Sequence, residues 1–421
     1  MLRHLRRLEA IGRRTRKYYT VKSEVASSLK ENPLPKQLEI QIKAAGPITV
    51  AEYMKQVLIH PMGGYYIHKD AFGPTGDFVT SPEISQMFGE MIAIWFLNEW
   101  QKIGSPKPLN IVELGPGRGS LMQDLLRVFG HFDALKEASI HMVEVSDLMA
   151  DMQARRLCIN VRRINEKDAN FYKEGYNSNG IPIRWYRNFS QLPPGFSFLI
   201  AHEFFDALPI HKFVKTPEGY RELLIDIDET TPGKFRYVRA REQTPVGKMF
   251  IRGDETRSDI EISPDSLVLA KDISQHLEEH GGFALIADYG HSGDGKVEAD
   301  TFRAYKQHKQ HDPLVDPGSA DLTADVDFGV LQKAIHQQGG TITFGPVTQR
   351  EFLLSLGMQQ RLEKLKQIEG VTDETRKVLD SSFAMLTDEA QMGKRFKFLA
   401  VMPAVLQEFL KKFPPVGFTN T

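Results

Sequence analysis

The chain carries one cysteine, Cys158, in 421 residues. A lone cysteine excludes an internal disulfide framework and any cysteine-built metal site, and it fits a compartment where disulfides are absent or unused. Long apolar runs are also missing. The longest, near Met91–Leu97, has helix-core length and falls far short of the ~20 residues that span a bilayer. Neither charge sign is in surplus: 53 Lys+Arg stand against 54 Asp+Glu, a formal net charge of −1. That balance argues against a protein that coats nucleic acid, which needs a basic excess, and against an acidic solvating tail. No internal repeat is visible, and the histidines, His308 and His311 among them, have no zinc spacing. What is present is an ordinary globular mixture, 41% hydrophobic and 25% charged. It is long enough for two or three domain-sized units, or for one large α/β domain with additions.

The balance of charge is uneven along the chain. The first twenty residues hold six arginines, one lysine and one acid, Glu9, so they carry about +6, while the rest carries 46 bases and 53 acids, about −7. Leu2, Leu5, Leu8 and Ile11 would form an apolar stripe beside an arginine face. An arginine-rich, acid-poor amphipathic start predicts a mitochondrial presequence and linker over residues 1–30. The competing reading is a basic arm for RNA or anionic lipid.

Behind it, residues 36–105 read as an N-terminal helical region. Thr49-Val50-Ala51-Glu52 reads as a capping box, and a Gly- and Pro-rich loop spans residues 73–83. From Leu109, short apolar runs alternate with helical segments: LNIVEL, SIHMVEVS, FSFLIAHEFFD and GGFALIADYG. Continuous apolar runs indicate strands buried on both faces of a parallel sheet, and their alternation with helices predicts an open, doubly wound α/β domain over 106–206 and 263–405. Residues 207–262 read as a β-rich insertion, with turns at Pro217-Glu218-Gly219 and Pro232-Gly233.

The sharpest motif is Glu113-Leu114-Gly115-Pro116-Gly117-Arg118-Gly119-Ser120, a strand running into a glycine turn that opens a helix. A dinucleotide fingerprint needs a third glycine at position 120, where Ser120 stands. The G-x-G-x-G spacing instead resembles motif I of class I S-adenosylmethionine-dependent methyltransferases. Glycines let a ligand approach the backbone closely, and an acid such as Glu113 suits a cationic cofactor tail. Glu144, followed by Val145, ends the next strand and is a candidate for the ribose hydroxyls of either cofactor. His202, Glu203 and Asp206 follow a buried strand, at the edge where open α/β sheets bind ligands. The two acids could grip a guanidinium bidentately, and either acid or His202 could take a proton. Gly76, Asp77, Phe78, Thr80, Ser81 and Glu83 lie in a candidate lid loop over the acceptor. Thr80 or Ser81 also reads as an N-cap, with Pro82 as first helical residue. Asp321 to Asp327 read as an acidic helix entry rather than a metal loop.

From about Gly46 to Pro403 the chain resembles the MidA family of mitochondrial complex I assembly factors, which act as protein arginine methyltransferases. The resemblance rests on GPITVAEYM, GYY, GDFVTSPEISQMFGE, VELGPGRG, VEVS, WYR, AHEFFDALPIHKF, ADYGH and DLTADVDF, in order. It implies a class I methyltransferase fold (Rossmann-like, α/β) that uses S-adenosyl-L-methionine. It also implies symmetric dimethylation of an arginine on a complex I core subunit, the iron–sulfur protein 2 subunit, and a mitochondrial matrix location. Glu113, Gly115, Gly117 and Gly119 carry motif I, and Glu144 the ribose acid. The double-Glu loop of the main arginine methyltransferase family is absent, so the roles of His202 to Asp206 rest on chemistry alone. A methyl acceptor that is a small molecule, and a non-catalytic assembly scaffold, are the alternatives. A homodimer is left open.

Overall fold

The computed structural model describes residues 32–68 and 79–418, except 166, 168, 254 and 294–299. The expected presequence, and Gly76, Asp77 and Phe78 of the expected lid, lie outside the described residues. Among the described residues no helix is long and apolar enough to cross a membrane.

The apolar runs form one ten-stranded sheet. Its strands lie side by side in the order 341–348, 396–403, 282–291, 196–202, 109–114, 138–143, 182–186, 173–176 and 160–163, and the two-residue strand Val326–Asp327 pairs with 282–291. The five from 282–291 to 182–186 are mutually parallel, and the strands beyond them on either side are joined antiparallel. This is the class I methyltransferase fold, α/β and mostly parallel at its centre. The chain leaves strand 109–114 for one neighbour, 138–143, and returns on its other side as 196–202. The reversal opens a crevice at the strands' carboxyl ends, where such sheets take ligands.

The period-2 alternation of a strand explains why these runs are apolar throughout. Ile111 and Phe198 face one core with helices Gln86–Lys102 and Ser120–His131, where Phe96 stacks on Phe198 at 4.9 Å. Val112, Leu114 and Leu199 face a second core with Ala270, Ile273 and Leu277 of helix Pro264–His280. Each such side chain is worth roughly 1.5–3 kcal/mol when fully buried. Both faces are therefore closed, and only the strand ends reach solvent.

Residues 211–216, 219–227, 235–239 and 259–262 build a separate antiparallel sheet, which Ile48–Thr49 joins by pairing Ile48 with Ile225. Helices Leu34–Ala45 and Val50–Ile59 pack their apolar stripes (Leu34, Leu38, Tyr53, Met54, Val57) against Ile225, Phe235 and Leu322 in one shared core. The N-terminal helices and the inserted sheet are thus one structural wall, and Leu34–Thr421 is a single compact unit. Thr49 caps its helix through Glu52 N at 3.1 Å, but the reciprocal half of the expected capping box is absent, because the Glu52 carboxylate takes Gln41 Nε2 instead. The acidic stretch 321–327 is only partly a helix entry. Asp327 caps helix Phe328–Gln338 through Val330 N, whereas Asp321–Thr323 is a strand and Asp325 pairs with Arg303.

Candidate active site

Strand Leu109–Leu114 ends in a turn that only glycine makes without strain: φ is +59° at Gly115, +52° at Gly117 and +76° at Gly119. A Cβ on Gly115 would stand 2.6 Å from the Phe204 ring. Gly115 and Gly117 line a cavity of about 360 Å³, within the size range of small-molecule sites. Gly119 lines none of the cavities at this site. It is the left-handed residue that opens helix Ser120–His131.

Glu144 and Val145 lie on the wall of the same cavity. Glu144 Oε1 accepts from Ser146 N at 2.7 Å and Oε2 from Gln153 Nε2 at 3.0 Å. Burial pushes the Glu144 carboxyl up to about 7, against the pull of these donors. Gln153 is fully buried. Its amide also donates to Gly117 O at 2.7 Å and accepts from Trp185 Nε1 at 2.8 Å, so one side chain ties the glycine turn to the acid. Phe189, Phe204, Leu208 and Pro209 give the cavity a flat apolar lining. Arg187 stacks 3.6 Å above the Tyr172 ring and donates to Val145 O at 2.7 Å. Leu58, Ile59 and Tyr66 close the cavity from the N-terminal helices. Sequence motifs did not single out these wall residues. The available signal was that Arg187 falls in WYR and Tyr66 in GYY.

Glu113 points to the opposite face of its strand from Leu114. It is buried, takes the Met122 amide, and its Oε2 has no hydrogen-bond partner among the described residues. Burial therefore holds its carboxyl well above the usual carboxylate range. It shares a small cavity of about 40 Å³ with Gly115, Gly117, His202, Thr80 and Glu83. Thr80 holds the N-cap position of helix Ser81–Ile84 without a side-chain cap, and Pro82 is its second residue rather than its first. Ser81 N reaches Glu203 Oε1 at 3.4 Å, and Glu83 lies 3.9 Å from Arg118 in the glycine turn. The described part of the expected lid is thus in touch with both motifs.

Strand Phe196–His202 delivers the remaining groups. His202 Nε2 is 3.3 Å from Glu203 Oε1, outside hydrogen-bond geometry, and its ring lies 4.9 Å from Phe88. Burial pushes the imidazole down to about 3, so it stays neutral and makes a weak base. Glu203 has φ +49°, a conformation that costs a non-glycine residue about 1–2 kcal/mol. Three amides, of Phe204, Phe205 and Asp206, pin that turn to Asp288 Oδ2 at 3.1, 3.0 and 3.3 Å. Burial, then the nearby Asp206, push Glu203 up to about 8. Glu203 lines the 360 Å³ cavity, the small one beside Glu113, and a third of about 690 Å³. Asp206 lines none of the three. Its Oδ2 accepts from Thr323 Oγ1 at 2.9 Å, and burial raises its carboxyl too. The two acids of the expected grip are thus placed differently: the Glu203 carboxyl faces the cavities and Asp206 lies behind it.

Residues 91–347 match the model of the family described as "Putative S-adenosyl-L-methionine-dependent methyltransferase". The chain is 48% identical over 393 residues to "Protein arginine methyltransferase NDUFAF7 homolog, mitochondrial" of Drosophila melanogaster, covering 92% of this chain and 88% of that one. The chain belongs to this methyltransferase family. It is also 44% identical to the mitochondrial protein arginine methyltransferase NDUFAF7 of Homo sapiens, with 92% and 87% covered. Among solved structures it resembles a superfamily member from Burkholderia thailandensis bound to S-adenosyl-homocysteine. The TM-score there is 0.73 at 24% identity, over 88% of this chain and 91% of that one, a likeness of fold. The cofactor of this family is S-adenosylmethionine, and the site's chemistry fits it. The unpartnered Glu113 oxygen suits a cationic ammonium. The Glu144 oxygens, which take donors from Ser146 N and Gln153 Nε2, keep lone pairs for ribose hydroxyls. Gly115 and Gly117, both in the left-handed region, put bare backbone on the cavity wall, with the Phe204 ring packed against Gly115.

Proposed function

We propose that this chain is a protein arginine N-methyltransferase of the mitochondrial matrix. Its acceptor is a complex I core subunit, the iron–sulfur protein 2 subunit, and its product is the symmetric dimethylarginine needed for early assembly of that complex. The acceptor class is supported by the names its relatives carry; the subunit, symmetry and compartment are supported by the family resemblance. The observation in this chain that carries arginine is Glu203, one half-buried carboxyl reached both from the cofactor-sized cavity and from the wide outer one.

S-adenosylmethionine, when bound, supplies an electrophilic methyl group on a sulfonium sulfur. Gly115, Gly117 and Glu144, which line the 360 Å³ cavity, would hold it, Glu144 through the ribose hydroxyls, and Glu113 in the adjoining small cavity would serve its cationic end. Glu203 is protonated near pH 7 in the free protein, because burial disfavours its charge. An arriving guanidinium reverses that preference, so Glu203 ionises, orients the acceptor nitrogen and accepts its hydrogen bond. A guanidinium has a pKa of roughly 12.5–13.8, so its deprotonation is hard, and a desolvated carboxylate beside it is the strongest aid on the site's wall. With the cofactor in place, the methyl group and the acceptor for the S–C electron pair would both come from its sulfonium, while Glu203 would hold the acceptor nitrogen and Glu203 or solvent would take the departing proton. His202, held neutral, keeps the carboxylate free of a competing cation.

The decisive experiment incubates the protein with methyl-labelled S-adenosylmethionine and nascent complex I subunits and maps the label by peptide mass spectrometry. Label on an arginine of the iron–sulfur protein 2 subunit is the expected result; label confined to small molecules or other residue types rejects the reading. The cofactor half has its own test. Gln153→Ala frees both Glu144 and the Gly117 carbonyl and should weaken S-adenosylmethionine binding by about tenfold in calorimetry, the loss of one hydrogen bond to a charged group. An unchanged Kd would remove Gln153 from the cofactor's support.

A further inference from the structure

The third cavity that Glu203 lines is built from chain segments far apart in sequence: Tyr289 at the end of strand 282–291, Arg303 and Tyr305 of strand 303–306, and the helices Asp373–Thr387 and Met392–Arg395. Its charge is opposite in sign to the acid at Glu203. The guanidinium groups of Arg303 and Arg395 lie 5.3 and 5.7 Å from the centroid of the Tyr289 ring. Both turn to one carboxylate, Asp325: Arg303 hydrogen-bonds it, and Arg395 stands 3.8 Å away. Asp325 is the one carboxylate in ion-pair range of both among the described residues, with Asp206 further off from Arg303, so the pair's positive charge is only partly balanced there. Arg303 Nε is buried without an acceptor among the described residues, and the Arg395 side chain is 52% exposed. Met385, Met392 and Phe396 supply apolar wall between them.

We propose that this cavity receives the peptide segment around the target arginine, and that Arg395, backed by Arg303, selects an acidic side chain close to it. The proposal deepens the arginine reading above and rests on it. Glu203 draws a cation, and the arginine pair draws an anion within the same cavity. A space of 690 Å³ spans roughly 10 Å, about three residues of extended chain, which sets how far the acid can stand from the target. Their contacts with Tyr289 and Asp325 gather the two guanidinium groups at the cavity before the peptide arrives, so less ordering is left to its binding. The cationic wall also excludes a lysine or arginine at the same position, so part of the selectivity is repulsive.

The test uses the full chain with S-adenosylmethionine and three synthetic peptides that differ only in carrying Asp, Ala or Lys within three residues of a single arginine. KM should be about tenfold lower for the Asp peptide than for the Ala peptide and higher still for the Lys peptide, with kcat nearly level. R395E should reverse the ranking and R395K should keep it in weakened form. Calorimetric cofactor binding by R395E shows that it is folded; should it fail to fold, the wild-type series decides alone. KM values indifferent to the flanking charge, or a ranking that survives R395E, overturn the subsite. Absence of methylation on all three peptides by wild-type protein that binds cofactor overturns the arginine reading, and the subsite with it.

Discussion

Glu203→Gln is expected to lower kcat/KM for the methyl acceptor by about 10²–10³-fold while leaving S-adenosylmethionine affinity within about threefold. Glutamine keeps the shape and the hydrogen-bonding carbonyl but cannot become an anion, so the acceptor cation meets a neutral wall. The pH dependence follows from the same group. The wild-type carboxyl is pushed up to about 8, so kcat/KM should rise with pH and level off above that value, and the substitution should flatten this limb. The substitution should also stabilise the fold. A carboxyl whose folded pKa exceeds its unfolded value of about 4.5 favours the folded state when protonated. Its contribution is therefore full below about 4.5 and lost as pH rises to about 8. Glu203→Gln removes that loss, so its melting temperature should exceed the wild type's above pH 8 and converge with it near pH 5. A less active yet more stable variant is the signature of a group kept for function at a cost in stability. Full turnover by the variant, or a melting difference that ignores pH, would remove Glu203 from the proposed role.

The parts of this molecule legible in its sequence are those where local pattern and tertiary environment demand the same residues. Strands 109–114, 196–202 and 282–291 are buried on both faces, so they read as unbroken apolar runs. The turn after Leu114 needs left-handed backbone three times in five residues, so it reads as glycines. Glu144 was legible for a related reason, an acid at a strand's carboxyl end having few structural uses. The relation between Glu203 and Asp206 was not legible. Three residues apart in a helix they would share a face, but the turn pinned by Asp288 gives Glu203 a left-handed backbone and sends the two carboxyls different ways. That pinning residue is 82 positions downstream of Asp206. The outer cavity was illegible too, because Arg303 and Arg395 meet at Asp325 only through the packing of the chain from Arg303 onward. Lone arginines in mixed segments carry no periodic or spacing signal. The part that Leu58, Ile59 and Tyr66 take in the cofactor cavity depends on the inserted sheet, which supports their helices through Ile225 and Phe235.

Gly115→Ala and Gly119→Ala form a pair that separates backbone strain from loss of the cofactor's space. Both glycines sit in the left-handed region, at +59° and +76°, so each substitution carries a conformational cost of about 1–2 kcal/mol. Their surroundings differ. A methyl group at Gly119 meets Leu157 and Gln153 at 3.4 Å and beyond, ordinary van der Waals distance, and does not enter a cavity. At Gly115 it meets the Phe204 ring at 2.6 Å, and Phe204 is itself part of the cavity wall. The ring must move, and the wall it forms moves with it. Gly119→Ala should therefore lower the melting temperature by about 1–2 °C, since a chain of 421 residues shifts roughly 1 °C per kcal/mol, with calorimetric Kd for S-adenosylmethionine nearly unchanged. Gly115→Ala should show a similar or larger thermal loss together with a Kd raised by about 100-fold, roughly 3 kcal/mol. Activity at saturating cofactor should recover in Gly119→Ala and not in Gly115→Ala, since a displaced Phe204 also disturbs the neighbouring Glu203. Equal loss of affinity in the two variants would mean that turn strain alone governs binding, and it would withdraw the assignment of the Gly115–Phe204 contact to the cofactor wall.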